Sequence, residues 1–243
     1  MTRYAEPILV HLYSEVLQKF RLAAEGKSYG RQPPERLRKR VKTHFDPLPF
    51  YTETLESQLV DTQEYPINAI TQRPMAMYHS WDSQNAWLRQ IHTHNHLYLN
   101  PKLAEANGIS DGDWVWVESP HGKVKGICKF SEAVEPGTVW TWNAIGKSSG
   151  AWALGPKANE SNKGFLLNHV ISEELPPCES GEHMSNSDPV TGQAAWYDVR
   201  VKVYKAGDNE AGITSPQFKA MKHYPGMDKK RGRVQAYFAG KFR

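Results

Sequence analysis

The segment Thr71–Ser80, TQRPMAMYHS, concentrates side chains that could hold a ligand carrying phosphate and many hydrogen-bonding groups. Arg73 supplies a planar cation whose N–H fork matches phosphate oxygens. Groups that can donate or accept hydrogen bonds surround it, at Thr71, Gln72, His79 and Ser80. The short apolar run Ile67–Ile70 precedes the segment. We therefore expect a strand to end where these polar side chains begin.

Two later stretches carry similar chemistry. Asn168, in FLLNHVI, has an amide that can both donate to and accept from the edge of a flat heterocycle. The segment DPVTGQAAWY adds polar groups at Asp188, Gln193 and Tyr197. In GTVWTWNAIGK, either Trp142 or Asn143 could face a ligand, although a buried structural Trp142 is at least as good an interpretation.

Metal and nucleophile chemistry are poorly supported. His92, His94 and His96 alternate, and a strand would place them on one face, as in some zinc sites. No acidic or Cys partner flanks them, so an exposed polar edge is favoured and no metal site is predicted. Cys128 and Cys178 form no CxxC pair, which excludes a four-Cys iron–sulfur or zinc site within this sequence and fits a reducing compartment. No Ser-His-Asp order or paired-carboxylate pattern stands out.

Short strands separated by turns must position these residues. The predicted strands are Ile67–Thr71, Trp114–Ser119, Gly122–Phe130, Thr138–Thr141 and Tyr197–Tyr204. A helix is predicted over Asn100–Gly108, since Pro101 suits a first turn and Gly108 a stop. SPHG predicts a hairpin turn in which Gly122 supplies a permissive backbone. The pattern favours a mainly β fold with helices, closed or nearly closed into a barrel.

The first part of the chain has a different character. Helices are predicted over Pro7–Ala24 and Arg31–His44, followed by an extended connector, FDPLPFY. The first helix has an apolar stripe with no obvious partner in the chain. Residues 1–45 hold ten Lys/Arg against four Asp/Glu, residues 46–216 twelve against twenty-one, and residues 217–243 eight against one. Basic ends on an acidic centre suggest docking to a protein surface, to a longer parent chain or to a polyanion.

The segment Ile70–Asn85, the segment Leu99–Val124 and the segment Ser187–Val201 together resemble, in this order, the C-terminal dinucleotide-binding domain of molybdopterin oxidoreductases of the dimethyl sulfoxide reductase superfamily. The sequence TQRPMAMYHSW…NAWLRQI is most similar to the branch of cytoplasm-facing sulfite dehydrogenase catalytic subunits. The resemblance implies a double-psi β barrel preceded by a helical N-terminal arm. Its implied domains are an arm and connector at 1–64, the barrel at 65–206 and a basic tail at 207–243.

The resemblance also implies a cofactor, bis-molybdopterin guanine dinucleotide, and a set of residues that contact it. That set is Thr71, Gln72, Arg73, Pro74, Met75, Ala76, Met77, Tyr78, His79, Ser80, Asn168, Gln193 and Tyr197. Tyr197 stands where the family commonly has Lys; it keeps a donor and loses a charge, for which Gln193 and Asp188 could compensate. Asn100 and Ser119 are weaker candidates.

In such enzymes the molybdenum ligand and the iron–sulfur cysteines belong to earlier domains. The resemblance therefore implies a cytoplasmic oxidoreductase part that is inactive alone. Its partners would be an iron–sulfur electron-transfer subunit together with upstream domains or a split subunit. Its substrate would be sulfite or another small oxoanion. The alternative is a non-catalytic module that docks a protein or nucleic acid through its basic ends. The acidic centre disfavours nucleic acid.

Overall fold

The structure is a computed structural model that describes residues 13–27, 29–82, 85–143, 158–159, 163–177, 183–194, 199–210, 214 and 216–219. The chain divides into two compact units. The first comprises the described residues up to Glu53 together with those of Ser187–Ala195. The second comprises the described residues of Thr54–Asn186 and those from Val199 onward.

The first unit contains two helices that pack together, α1 (Glu15–Ala24) and α2 (Glu35–His44). The ring of Phe20 meets that of Phe45 edge-on at 5.8 Å between centroids. Both predicted helices are present, but α1 begins at Glu15 with Ser14 as its N-cap, so Tyr13 lies outside the helix; positions 1–12 lie outside the described residues. Helix α2 begins four residues later than expected, because Pro34 has an extended backbone (ψ 144°) and serves as its N-cap. The helical stripe thus finds part of its partner within the chain.

The second unit is built around a mixed sheet. Its elements are α3 (Leu55–Leu59), β1 (Ile67–Gln72), α4 (Ala86–Ile91), β2 (His96–Leu99), α5 (Pro101–Ala106), β3 (Trp114–Ser119), β4 (Gly122–Phe130), β5 (Thr138–Trp142), β6 (Glu174–Pro177), β7 (His183–Ser185), β8 (Val199–Lys205) and β9 (Gln217–Phe218). Strands β6 and β7 form a separate two-stranded sheet. The other seven form one sheet.

That sheet closes into a six-stranded barrel in the order β2-β5-β1-β8-β3-β4, with β4 pairing back to β2 and β9 added beside β4. The pairs β1–β5 and β2–β4 are parallel, and the other pairs in the ring are antiparallel. Alternate residues point inward, so the interior is filled by small and branched apolar side chains. Prominent among them are Ala69, Leu97, Leu99, Val115, Val117, Val124, Val139, Val199 and Val201.

Residues 163–171, between β5 and β6 and here called the plug, pack against this core. Phe165, Leu167 and Val170 are buried in the same cluster as the barrel residues. Gly126 on β4 makes room for Phe165, since a Cβ there would overlap the phenyl ring. The glycine therefore encodes a contact between a strand and a segment about forty residues later in the chain.

Most strand predictions are confirmed to within a residue, including β3 and β4, whose bounds match those expected. Strand β8 begins at Val199 among the described residues, and 195–198 lie outside them. The explanation offered for Gly122 was wrong. Its φ lies outside the left-handed region, and a Cβ there would meet the Gln217 carbonyl oxygen at 2.6 Å. The position needs glycine because β9 approaches closely.

The alternating histidines do not share one strand. Helix α4 ends at Ile91 with His92 as its C-cap, and only His96 belongs to β2. All three imidazoles are half-buried, so packing replaces the expected exposed polar edge. The His92 ring lies 5.4 Å from that of Trp142, and the His94 ring lies 5.7 Å from that of His96. Helix α4 and strand β2 were both missed by the sequence analysis.

Candidate functional site

Strand register brings several chain segments to one end of the barrel, here called the site end. Because β5 runs parallel to β1, with Gln72 paired to Trp142, both strands finish there. Strands β2 and β8 run antiparallel to their neighbours β5 and β1, so both begin there. The β3–β4 turn, between Ser119 and Gly122, lies at the same end, since β4 runs parallel to β2. Five segments therefore converge.

The segment that follows β1 leaves the barrel at this end. Gln72 and Arg73 are exposed, Thr71 and Ala76 are half-buried, and Pro74 and Met77 are buried. The buried pair anchors the loop, and a hydrogen bond from Met77 N to Pro74 O closes a turn (3.4 Å). The loop thus presents an amide and a guanidinium to solvent directly beyond the end of β1.

The remaining candidates of this segment continue outward. The side chain of Met75 is fully exposed (102%) and that of Tyr78 is 64% exposed. Residues His79–Asp82 form a single 3-10 turn, and the Asp82 carboxylate accepts a hydrogen bond from Tyr78 N at 2.8 Å. The backbone of the predicted decapeptide therefore follows a turn-rich path beyond the site end.

Asn95 is a buried side chain that joins two of the converging segments to the plug. Its Oδ1 accepts from Thr141 Oγ1 (2.8 Å) and from Trp142 N (3.1 Å), and its Nδ2 donates to Trp142 O (3.1 Å) and to Phe165 O (3.1 Å). Its backbone N–H donates to Lys163 O at 2.7 Å. The entry to β2, the exit of β5 and the plug are held together by this one residue.

The exit of β5 is also tied to the exit of β1. Asn143 N donates to Gln72 O at 2.6 Å, which continues the parallel ladder one residue beyond the strands. Asn143 itself is half-buried and lies next to the exposed Gln72 and Arg73 in the register. Trp142, the other candidate of this stretch, packs edge-on against Trp140 at 4.8 Å between centroids.

Asn168 lies in a 3-10 turn, Leu167–Val170, and its side chain is exposed. The turn is fixed to the site end by Ser119, whose Oγ donates to Val170 O at 2.6 Å and accepts from His121 N at 3.1 Å. Ser119 is thus committed to the backbone, and Asn168 is the polar group of this turn that a ligand could reach from solvent.

Two imidazoles at the site end have buried ring nitrogens with no hydrogen-bond partner among the described residues, on the buried His121 and the half-buried His169. His121 is 6% exposed, and both of its ring nitrogens lack a hydrogen-bond partner among the described residues; the same holds for Nδ1 of His169. Burial lowers the pKa of both side chains, and the nearby Lys219 lowers that of His121 further. Both rings are therefore neutral near pH 7 and keep unused hydrogen-bonding capacity.

Two further predicted site residues lie in the first unit or outside the described residues. Gln193 is exposed and belongs to the first unit, where its carbonyl accepts from Asp188 N at 2.7 Å. The Asp188 carboxylate is bound to Thr191, which with neighbouring N–H groups lowers its pKa. Tyr197 lies outside the described residues.

The opposite end of the barrel, here called the far end, carries the helix and turn of the second motif. Asn100 caps α5 by accepting from Lys102 N (2.9 Å) and donates to Val134 O (2.8 Å). Gly108 has a φ of +63°, as a helix stop requires. Asp113 accepts from Ser110 N (2.8 Å) and pairs with Lys205 (2.8 Å). This motif builds the fold and lies away from the site.

Metal and membrane candidates can be tested only within the described residues. There, no three His, Cys, Asp or Glu side chains come together as a metal-binding group. None of the described helices has both the length and the apolar character needed to cross a bilayer. Cys128 is buried and free, its thiol contacts Ser110 O at 3.1 Å, and burial raises its pKa to about 11.

Sequence reasoning missed Asn95 and His121. Asn95 directly precedes HLYL, whose alternating apolar residues indicate a strand. The polar pattern HTHNH makes this indication hard to recognise. For His121 the available signal was only its place in a tight hairpin turn.

Residues 67–186 match the family model described as "Molydopterin dinucleotide binding domain". The chain is 74% identical over 242 residues to a sulfite dehydrogenase polypeptide of Allochromatium vinosum; the match takes in 100% of this chain and 25% of that protein. It is 26% identical to dopamine dehydroxylase of Eggerthella lenta, over 70% of this chain and 15% of that one.

A solved structure, acetylene hydratase from Pelobacter acetylenicus, superposes with a TM-score of 0.51 at 26% identity, covering 68% of this chain and 22% of that chain. The chain thus spans a quarter or less of the length of these three relatives. The matched range, from β1 to the end of the β6–β7 hairpin, takes in most of the barrel and most of the segments that converge at the site end. The chain belongs to the family of molybdopterin dinucleotide-binding domains.

Proposed function

We propose that this chain is the cofactor-binding domain of a molybdenum oxidoreductase and holds bis-molybdopterin guanine dinucleotide at the site end of its barrel. The observation that carries the proposal is the register, which sets the Thr71–Ser80 segment beside the exit of β5 and the entry of β2. The domain limits of 1–64, 65–206 and 207–243, and a double-psi connection of the strands, are part of this proposal.

The residues present fit such a group in chemical type. A dinucleotide offers a pyrophosphate and amide-like ring edges, and the site end offers an exposed guanidinium on Arg73 and exposed amides on Gln72 and Asn168. The unused nitrogens of His121 add buried hydrogen-bonding capacity at the same end. We assign the contacts to Thr71, Gln72, Arg73, Pro74, Met75, Ala76, Met77, Tyr78, His79, Ser80, Asn168, Gln193 and Tyr197.

When bound, the cofactor would supply a molybdenum centre for two-electron chemistry on a small oxoanion, for which sulfite is our first choice given the relative at 74% identity. This chain's own residues would bind and orient the cofactor. The protein ligand to molybdenum and the iron–sulfur partner would come from other polypeptide segments, so we expect no turnover by this chain alone. The buried, free Cys128 is consistent with a cytoplasmic, reducing location.

Calorimetry of the chain with extracted bis-molybdopterin guanine dinucleotide tests the proposal. Because hydrogen bonds to charged groups contribute about 1.5–3 kcal/mol, we expect the variant Arg73→Ala/His79→Ala to bind at least tenfold more weakly. Lys102→Ala, which removes an exposed cation at the far end, is the matched control and should bind like the parent.

Parent-like binding by the Arg73→Ala/His79→Ala variant would refute the site assignment. Absence of binding by the parent chain, together with binding of a protein or nucleic acid through the basic ends, would favour the non-catalytic module instead.

A further inference from the structure

Beside the site end, the chain exposes aromatic and aliphatic side chains where a protein surface is usually polar. Trp81 is 75% exposed, Trp87 79% and Ile91 64%. Trp87 and Ile91 are four residues apart on α4 and so lie on one face of the helix. Since a tryptophan presents about 150–250 Å² for burial, the two indoles alone leave roughly 300 Å² of aromatic surface in water. The largest apolar patch on a typical monomer measures about 300–600 Å² and is often functional, so these side chains form a candidate interaction site.

A row of stacked rings continues from this helix onto the outer face of β2 and β5. The His92 ring, at the end of α4, lies 5.4 Å from that of Trp142. Trp142 meets Trp140 at 4.8 Å, and Trp140 stacks face to face on Tyr98 at 4.0 Å with an interplanar angle of 6°. These rings are half-buried, because they point away from the barrel core. We call Trp81, Trp87, Ile91, His92, Tyr98, Trp140 and Trp142 the aromatic surface.

The charges around this surface indicate the kind of partner. From Trp81 to Tyr98 the sequence holds only two charged residues, Asp82 and Arg89. Interface cores between proteins are depleted in charge and enriched in tryptophan and tyrosine. A phosphate-rich ligand would need more cations than one arginine, so the aromatic surface suits a polypeptide and differs in this from the loop that carries Arg73.

We propose that the aromatic surface binds the remainder of a catalytic polypeptide, the part that corresponds to the three-quarters of the sulfite dehydrogenase relative outside the region this chain matches. The matched region is 25% of that protein, so a partner of ample size accompanies this domain in the relative. The surface adjoins the loop proposed to hold the cofactor, and a polypeptide seated on it would cover that loop from one side. This inference rests on the proposed function and adds to it the surface that meets the partner.

Coexpression of this chain with the remainder of the Allochromatium vinosum polypeptide, followed by affinity purification and titration, tests the docking. The variant Trp87→Ser/Ile91→Ser should weaken the complex at least a hundredfold, because central aromatic and aliphatic anchors dominate interface energies. Tyr51→Ser is the matched control, an exposed aromatic residue (87%) that is not part of the aromatic surface; it should bind like the parent.

Hydroxyl-radical footprinting of the parent complex supplies a second measurement, with Trp81 and Trp87 expected to become protected. Parent-like affinity of Trp87→Ser/Ile91→Ser, unprotected tryptophans in the complex, failure of the coexpressed parts to associate, or a dimer of this chain closed by the same residues would each overturn the proposal. Cofactor binding by the isolated chain is measured in parallel. Its loss in the parent would contradict the proposed function, whereas intact cofactor binding without docking would contradict only the docking.

Discussion

The two ends of the barrel use polar side chains to opposite effect. At the far end Asn100, Asp111 and Asp113 commit their side chains to the chain itself, capping α5 or holding the turn into β3. At the site end, Asn168 and Arg73 are exposed, and two imidazoles have nitrogens without a partner in the described part of the chain. An end whose polar side chains make their hydrogen bonds within the chain needs no ligand. An end that keeps hydrogen-bonding groups available is the better place to search for a site.

Asn95, like Ser119, uses its hydrogen bonds within the chain and holds the site end together, and its replacement should have the largest effect on stability. Asn95→Leu keeps the branching of the side chain but leaves partners on Thr141, Trp142 and Phe165 unsatisfied. Because each buried group left without a partner costs about 1–3 kcal/mol, we expect a loss of about 3–5 kcal/mol in the free energy of unfolding. Urea unfolding followed by tryptophan fluorescence measures it.

Asn100→Leu is the matched change at the far end. It removes one helix cap and one buried hydrogen bond, so we expect a loss of about 2 kcal/mol. Cofactor affinity should fall in Asn95→Leu at temperatures where it is still folded and stay unchanged in Asn100→Leu. Equal stability losses, or an affinity loss in the far-end variant, would contradict the contrast between the two ends.

Glycine-to-alanine substitutions give the second comparison of the two ends, with smaller expected losses in stability. In Gly126→Ala the new Cβ overlaps the buried ring of Phe165, and overpacking of this kind costs about 1–3 kcal/mol. In Gly108→Ala nothing lies within 4 Å of the new Cβ, but a φ of +63° disfavours alanine by about 1 kcal/mol. Thermal unfolding of both variants measures these losses.

Hydrogen exchange separates the two causes. Gly126→Ala should speed amide exchange in the plug around Leu167–Val170, whereas Gly108→Ala should speed exchange only around α5. If both variants gave the same exchange pattern, the plug would not depend on the glycine.

Acidification should lower the stability contributed by the two ends in different pH windows. Of the three comparisons, this one should show the smallest effect. Burial holds the pKa values of His121 and His169 below the ordinary 6.5, so the unfolded chain takes up protons first and stability falls as the pH drops below 6.5. A hydrogen bond from Lys205 lowers the pKa of Asp113 below the ordinary 3.8, so its contribution is present above that pH and is lost as the pH falls through the lowered value.

Urea unfolding of the parent and of His121→Phe between about pH 7.5 and pH 5 tests the first window. The variant should lose less stability over this range than the parent, because it has one fewer imidazole to protonate on unfolding. The variant Asp113→Asn should match the parent there and differ only at more acidic pH. An unchanged slope in His121→Phe would mean that His121 is not held neutral by burial.

Local patterns were sufficient to predict what depends on neighbours in sequence. Pro101 and Gly108 bracket α5, and the apolar alternation on either side of SPHG predicts β3 and β4. Helix α4 could have been found from Asn85, which caps it by accepting from Trp87 N and Leu88 N. The alternating histidines that follow this helix were interpreted as the exposed edge of a strand, and the helix was missed.

Long-range contacts could not be predicted in this way. The sequence around Gly126 does not predict its contact with Phe165, and the sequence around Asn95 does not predict its contacts with Trp142 and the plug. These residues meet only when the barrel closes. The Thr71–Ser80 segment could be predicted only in part. Its position at the end of β1 is confirmed, its contacts with a cofactor remain a prediction, and the role of Asn168 depends on Ser119 holding its turn in place.

The place of β8 in the sheet has a consequence for how the barrel is made. It is the last strand of the ring to be synthesised, yet it lies between β1 and β3. A nascent chain that ends before Val199 can form only the open order β1-β5-β2-β4-β3, with unpaired backbone groups along both outer strands. Such edges invite pairing with other chains, and the pairing of β8 with β1 spans about 130 residues of sequence, which makes closure slow. Until that strand has left the ribosome, the two open edges expose the nascent domain to aggregation.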